Sequence, residues 1–373
     1  MDMSSIGRVH CAILGSRGLV AQRYLQRLIN HNWFIPVSIV GSNSTVGKDI
    51  SDLPWSLDEE RPDLPNIIVK GLDDLGALID DLKEEKVEII FSAIPDDVAN
   101  LVEEKLAKEG FVVISHAMIH RMKSDIPLII PEVNAHHLDL FSTQNFGNGS
   151  LISCSNCMVV PIALTMAPLF SNFDISALNI NTEQSLSGGG RKMLAQSRLG
   201  MPFDSKIVGE DDSIIQELKK IFDNFMESNI ILNDLDINAQ CSRVNRDYGH
   251  LAEIEVDFKN TISAHEIIQV WQNYSTTLSG LKLPSSGGLI NFVKGKMDVE
   301  THRWGASNSR KPSTDLNTAM SVSIGEVEVT SNKLRFKVVS DNTIRGAAGY
   351  GVLLAELLLA EGIIHVDEQQ ITH

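Results

Sequence analysis

Short runs of apolar, largely β-branched residues recur through the first third of the chain: HCAIL, FIPVSIV, NIIVK, VEIIFSA and FVVIS. Between them lie LVAQRYLQRLI and DDLGALIDDLKEE, whose apolar positions recur at helical spacing. Strands that are apolar throughout are buried on both faces, and helices between them supply the crossovers of a parallel sheet. The pattern predicts a Rossmann-type nucleotide-binding domain over residues 1–150. After it come ALNINTEQSLS, INAQCSRVNRDY, LAEIEVDF, TAMSVSIGEVEV and KLRFKVVS, which alternate apolar with polar residues. Alternation suits a mainly antiparallel sheet with one face buried and the other left for a site or a partner. A second, α+β domain is therefore expected over 151–342, giving an α/β fold class overall. Helices are expected at 158–170, 213–227, 263–275 and 345–361. The last belongs to a segment, 343–373, apolar enough to pack back on the first domain.

The length of 373 residues, 43% of them hydrophobic, is enough for two cores. Acidic residues outnumber basic ones 48 to 32, for a net charge of −16, and no stretch gathers Lys and Arg into a basic face. Nucleic acid and anionic membrane are thereby excluded as expected partners. No apolar run approaches the roughly 20 residues that span a bilayer, and MDMSSIGRVH lacks the apolar core of a secretory signal. A cytoplasmic protein is expected, with Cys11, Cys154, Cys157 and Cys241 as thiols.

Gly15-Ser16-Arg17-Gly18-Leu19 follows the first strand and opens the first helix, where glycines permit close approach of a pyrophosphate to the helix N-terminus. The second strand ends without the carboxylate that would hold a ribose 2′-hydroxyl. Ser42, Ser44 and Lys48 stand there instead, suiting the 2′-phosphate of NADP or forming a polar loop whose lysine reaches solvent. The stretch SCSNC places two of the four cysteines three apart at the threshold of MVVPIALTMAPLF. Cys157 falls at the first turn of the expected helix, whose positive end would lower a thiol pKa, and Cys154 falls on the preceding strand as a packing residue. A zinc site needs a second Cys or His pair, and Cys241 and His250 are too separately placed; no metal is expected. A neutral His250 near a thiol has the chemistry of a general base, and Arg243 that of a carboxylate clamp. Gln184 precedes a glycine run that serves either as a turn or as a cofactor contact.

The order of the glycine turn, SNSTVGK, FSAIP, HRMKSDIPLIIPEVN, SNC, EQSLSGGG, CSRV followed by GH, and DNTIRGAAG resembles the aspartate-semialdehyde dehydrogenase superfamily. Its archaeal and fungal branch, which also contains malonyl-CoA reductase, is the most similar. The resemblance runs from about residue 8 to about residue 362. It implies that residues 151–342 form a catalytic and dimerisation domain in a homodimer or homotetramer. It implies further that Cys157 is the nucleophile of a thioacyl intermediate, with Asn156 beside it, that Gln184 orients the acyl group, that Arg243 binds a substrate carboxylate, and that His250 is acid and base. Gly15, Ser16, Gly18, Leu19, Ser42, Ser44, Ser92, Ala93, Gly188 and Asn342 would line the NADP site, with Arg121 and Glu210 as substrate contacts. The implied activity is NADPH-dependent reduction of aspartyl-4-phosphate to aspartate-4-semialdehyde and phosphate. Alternatives are reduction of another acyl phosphate or acyl thioester, such as malonyl-CoA, and a non-catalytic NADP-binding relative. The acidic segment that commonly ends in lysine in the family reads Gly209-Glu210-Asp211-Asp212-Ser213 here, without that cation.

Overall fold

The computed structural model describes residues 7–223 and 235–364. The first unit runs β1 (Val9–Leu14), α1 (Leu19–Leu28), β2 (Phe34–Val40), α2 (Leu75–Glu84), β3 (Ile89–Ser92), α3 (Asp96–Lys108), β4 (Val112–Ser115), α4 (Pro131–Asn134) and β5 (Ser150–Ser153). All five strands are parallel in the order β2-β1-β3-β4-β5. The order reverses between β1 and β3, so their C-terminal ends open a crevice of the kind that holds dinucleotides. The strand expected at NIIVK is absent. Ile68 and Lys70 make single bridges to Asp49 and Val40, because the N–H groups of Val69 and Lys70 go to two different segments, at Lys48 and Ile39. At the other edge, β5 carries the first sheet to residue 153.

The second unit comprises α5 (Val159–Asn172), β6 (Ile175–Gln184), α6 (Gly190–Arg198), α7 (Glu210–Ile221), β7 (Asp236–Arg243), β8 (His250–Phe258), α8 (Ala264–Asn273), β9 (Ile290–Phe292), α9 (Val299–His302), β10 (Val322–Thr330), β11 (Lys333–Ser340) and α10 (Gly349–Ala360). The six strands form one mixed sheet, β7-β6-β8-β11-β10-β9, with antiparallel pairing across β6-β8-β11-β10 and parallel pairs at both edges. Along β8, His250, Ala252, Ile254, Val256 and Phe258 point inward. The alternate residues Glu253 and Asp257 face outward and pair with Arg335 and Lys333 of β11, each at 2.6 Å. The helix expected from 213 begins at Glu210, because Glu210, Asp211 and Asp212 complement the positive end of its first turn. Its expected residues 224–227, like the tail 365–373, lie outside the described residues.

Helices α5 and α10 are almost wholly buried, and one apolar cluster joins them to residues of both sheets. The two units thus share a core. Helix α10 also lies on α1. Arg23 Nε donates to Thr343 Oγ1 at 2.9 Å, and His31 Nε2 meets Glu356 Oε1 at 2.9 Å. Gly351 faces Tyr24, whose hydroxyl is pinned 2.6 Å from His116 Nε2 and cannot swing aside. A Cβ at 351 would overlap that hydroxyl. Gly351→Ala is therefore expected to destabilise the protein by about 1–3 kcal/mol through overpacking, read as a lower urea midpoint; an unchanged midpoint would show that α1 and α10 can separate freely.

Candidate active site

Cys157 lies in the turn between the last strand of the first sheet and α5. Cys11, Cys154 and Cys241 are buried, whereas Cys157 keeps partial exposure, so it is the accessible thiol of SCSNC. Its Sγ stands 3.2 Å from Nε2 of His250, the fully buried first residue of β8. Around the other ring nitrogen, Nδ1, the Ser185 N–H lies at 3.0 Å and the Ser185 hydroxyl at 3.1 Å. Arg243, at the end of β7, donates from Nη1 to Ser185 O at 2.8 Å. Two glycines let the pieces meet. A Cβ on Gly346 would come within 2.8 Å of Cys157 Cβ, and one on Gly188 would stand 2.6 Å from Arg243 Nη1 and 3.1 Å from His250 Cε1.

Burial, reinforced by Glu210, pushes the Cys157 thiol up to about 12. The lowering expected from the helix N-terminus is thus overridden by desolvation. Burial also brings His250 down to about 3, assisted by the cations Arg243 and Arg246. Burial thus disfavours charge on either member of the pair, and a proton can pass between them across the 3.2 Å contact.

Glu210, at the first turn of α7, accepts at Oε1 from Asn156 Nδ2 at 2.9 Å and Gln184 Nε2 at 2.8 Å. Asn156, read from the sequence as standing beside the nucleophile, and Gln184, read as orienting the acyl group, thus both donate to one carboxylate. Two turns on, the buried Glu217 accepts from Asn156 N (2.7 Å), Ser155 Oγ (2.8 Å), Ser213 Oγ (2.9 Å) and Arg121 Nη1 (3.0 Å). Arg121 also donates to Cys154 O and His116 O. Burial opposes its charge, and Glu217 outweighs that cost, holding the guanidinium above its ordinary range. Arg121 thus braces the cysteine loop from behind.

The crevice between β1 and β3 carries the other group of residues. Gly15 has φ +115°, and a Cβ there would meet Ala93 O at 3.0 Å and Ala21 Cβ at 3.1 Å, so only glycine keeps this turn close to the strand ends. The N-cap of α1, Gly18, carries no side chain to satisfy the first N–H groups, and Leu19 follows it into the helix. Ser92 ends β3 with a buried hydroxyl that has no partner among the described residues. Ser16 Oγ lies 2.9 Å from Thr45 Oγ1. At the end of β2, Arg17 Nη2 donates to Ser44 Oγ (2.8 Å), Ser42 and Ser44 hydroxyls lie 3.0 Å apart, and Lys48 Nζ donates to Ser44 O (2.9 Å). Two hydroxyls and two cations at the ribose end of such a crevice fit a 2′-phosphate. Gly188 and Asn342, by contrast, lie at the thiol end. Asn342 is buried and accepts at Oδ1 from Gly249 N at 3.0 Å.

Ser185, Glu217 and Gly346 are site residues that sequence reasoning passed over. A serine and a glutamate on polar stretches carry no local signal, since their partners lie 65 and 61 residues away. Gly346 was legible only as part of the small-residue run RGAAG.

Residues 10–141 match the semialdehyde dehydrogenase NAD-binding domain and residues 166–345 the semialdehyde dehydrogenase dimerisation domain. An aspartate-semialdehyde dehydrogenase of Archaeoglobus fulgidus is 32% identical over 96% of this chain and 100% of its own. A malonyl-CoA reductase (NADP) of Metallosphaera sedula is also 32% identical, over 95% of this chain and 97% of its own. Among solved structures, the aspartate-semialdehyde dehydrogenase of Candida albicans with NADP superposes with a TM-score of 0.77 at 26% identity, covering 96% of this chain and 100% of that one. By sequence across nearly its whole length, and by fold, the chain belongs to the semialdehyde dehydrogenase family.

Proposed function

We propose that the protein is an NADP-dependent aspartate-semialdehyde dehydrogenase working through a thioacyl intermediate on Cys157. The observation that carries this reading is the charge pattern at the thiol: Glu210 and Arg243 both act on Cys157, one raising and one lowering its proton affinity. A substrate with an ammonium and a carboxylate on one short chain matches both charges, and aspartyl phosphate has them. Malonyl-CoA has no ammonium to meet Glu210. His250 Nε2 takes the thiol proton as Sγ attacks the acyl carbon and phosphate leaves; it later returns a proton to sulfur as the aldehyde departs. Arg243 holds the carboxylate, and Gly188 leaves room for its guanidinium beside His250. NADPH, when bound along Gly15, Ser16, Gly18, Leu19, Ser92 and Ala93, supplies the hydride that reduces the thioester.

A second reading keeps the chemistry and changes the acyl carrier. Ser213 stands in the first turn of α7 and donates to Glu217, so that turn offers no cation for a leaving phosphate, and Arg121 is already paired. This favours an acyl thioester. Oxidation of aspartate-4-semialdehyde by purified protein, with phosphate and CoA offered separately as acceptors, decides between them. Phosphate dependence is the expected result, CoA dependence supports the second reading, and turnover with neither removes both.

The dimerisation domain implies a homo-oligomer, for which we favour a homodimer or homotetramer acting in the cytoplasm. No helix among the described residues is long and apolar enough to cross a membrane.

Cys157→Ala is expected to abolish turnover while leaving NADP affinity unchanged, since the thiol and the glycine turn are separate parts of the structure. Cys154→Ala, a packing change, is expected to keep most activity; equal loss in both variants would disprove the assignment. For the cofactor, Ser42→Asp places a carboxylate beside Ser44 and Arg17. A charged hydrogen bond contributes about 1.5–3 kcal/mol, so NADP should bind the wild type more than tenfold better than NAD, and the variant should lose that preference. Equal affinities in the wild type, measured by titration, would mean that 41–48 is only a loop.

A further inference from the structure

The face of α6 turned toward the first unit carries two arginines, and only one of them is engaged. Leu194 of α6 is buried in a small apolar cluster with Leu19, the first residue of α1, and with Leu57, Leu186 and Tyr248. The helix therefore lies against the N-terminus of α1 from the side of the second unit. Residues three, four and seven apart in a helix share a face, so Arg191 stands one turn before Leu194 and Arg198 one turn after it on the same side. Arg198 Nη2 is held by two carboxylates, Asp58 and Asp247, each at 2.7 Å. Arg191 is half-buried, and its side chain has no hydrogen bond or ion pair among the described residues.

The place of Arg191 in the chain narrows what its charge can serve. Three residues before it, Gly188 lies against Arg243 and His250 at the thiol end of the site. Three residues after it, Leu194 meets Leu19 beside the glycine turn. A dinucleotide reaching from the glycine turn to the thiol passes between these two points, and its part nearest the helix N-terminus is the diphosphate. On the first unit that group meets backbone N–H donors, since the first turn of α1 has no capping side chain. The cation of the turn, Arg17, is drawn to Ser44 at the end of β2. We propose that Arg191 is a cofactor-binding residue, contributed by the second unit, that takes the diphosphate of NADP from the side opposite Gly15–Leu19. A guanidinium suits the task because its paired N–H donors match the oxygens of a phosphate, which a point charge does not.

The proposal rests on NADP as the cofactor, and binding of NADP and its fragments, followed by protein fluorescence, tests it apart from turnover. Arg191→Gln removes the charge and keeps a good helix former. It is expected to weaken NADP and NAD alike by about tenfold, the usual contribution of a hydrogen bond to a charged group. The ratio of the two should not change, because both carry the diphosphate. ADP-ribose 2′-phosphate, which has the diphosphate and no nicotinamide, should weaken equally. Adenosine 2′-monophosphate, which lacks the diphosphate, should bind as to wild type and so report an intact fold. Lys192→Gln removes the same charge one residue along, at an exposed position, and should leave every ligand unchanged. Arg191→Lys should recover part of the loss. A wild type that binds no NADP would overturn the cofactor assignment itself. With NADP bound by the wild type, this proposal alone is overturned by unchanged affinities in Arg191→Gln, by an equal loss of adenosine 2′-monophosphate, or by an equal loss in Lys192→Gln.

Discussion

The 3.2 Å contact between Cys157 Sγ and His250 Nε2 is the point at which the two halves of the molecule meet in one candidate site. The thiol belongs to the turn after the last strand of the parallel sheet, and the imidazole begins an inner strand of the mixed sheet. Neither sheet contains a site by itself. The contact exists because α5 runs straight from the cysteine turn into the core that both sheets share, fixing the distance from one side. On the other, the turn at Gly346 presses on Cys157, and Gly188 lets the backbone after β6 close over Arg243 and His250. Small residues are needed at both places because a Cβ would occupy the space in which thiol, imidazole and guanidinium meet.

Electrostatics follow from that enclosure. Burial raises the thiol and depresses the imidazole, while Arg243 and Glu210 bring side chains of opposite character to the same corner. The buried Glu217 plays a different part. It gathers Ser155, the Asn156 N–H, Ser213 and Arg121, so the Cys157 loop is held by a buried carboxylate. A paired buried charge of this kind specifies geometry more than it adds stability. The crevice between β1 and β3 is built on another principle: Gly15 keeps the backbone close to the strand ends, and Arg17, Ser42, Ser44 and Lys48 join in hydrogen bonds at its surface.

Much of this was legible in the chain because its signals are local. HCAIL and FVVIS announce buried parallel strands by composition, and the glycine turn announces the crevice by its position between strand and helix. Cys157 stands at the start of an apolar helix pattern, whereas Arg243 and His250 entered as candidates through the resemblance of the surrounding motifs. Misreadings arose where a residue's role is set by distant partners. NIIVK has the composition of a strand yet divides its N–H groups between two segments. Glu217, which organises the Cys157 loop, gave no sign of itself for the same reason, since its partners lie far along the chain.

The central claim is that Cys157 carries the acyl group during turnover. Its most direct test is peptide mass mapping after the protein is incubated with aspartate-4-semialdehyde and NADP in the absence of phosphate and CoA, then quenched in acid to preserve thioesters. The account predicts an aspartyl adduct on the peptide containing Cys157 that disappears when phosphate is added before the quench. An adduct on Cys154, Cys241 or Cys11, or NADPH formation without any cysteine adduct, would contradict it.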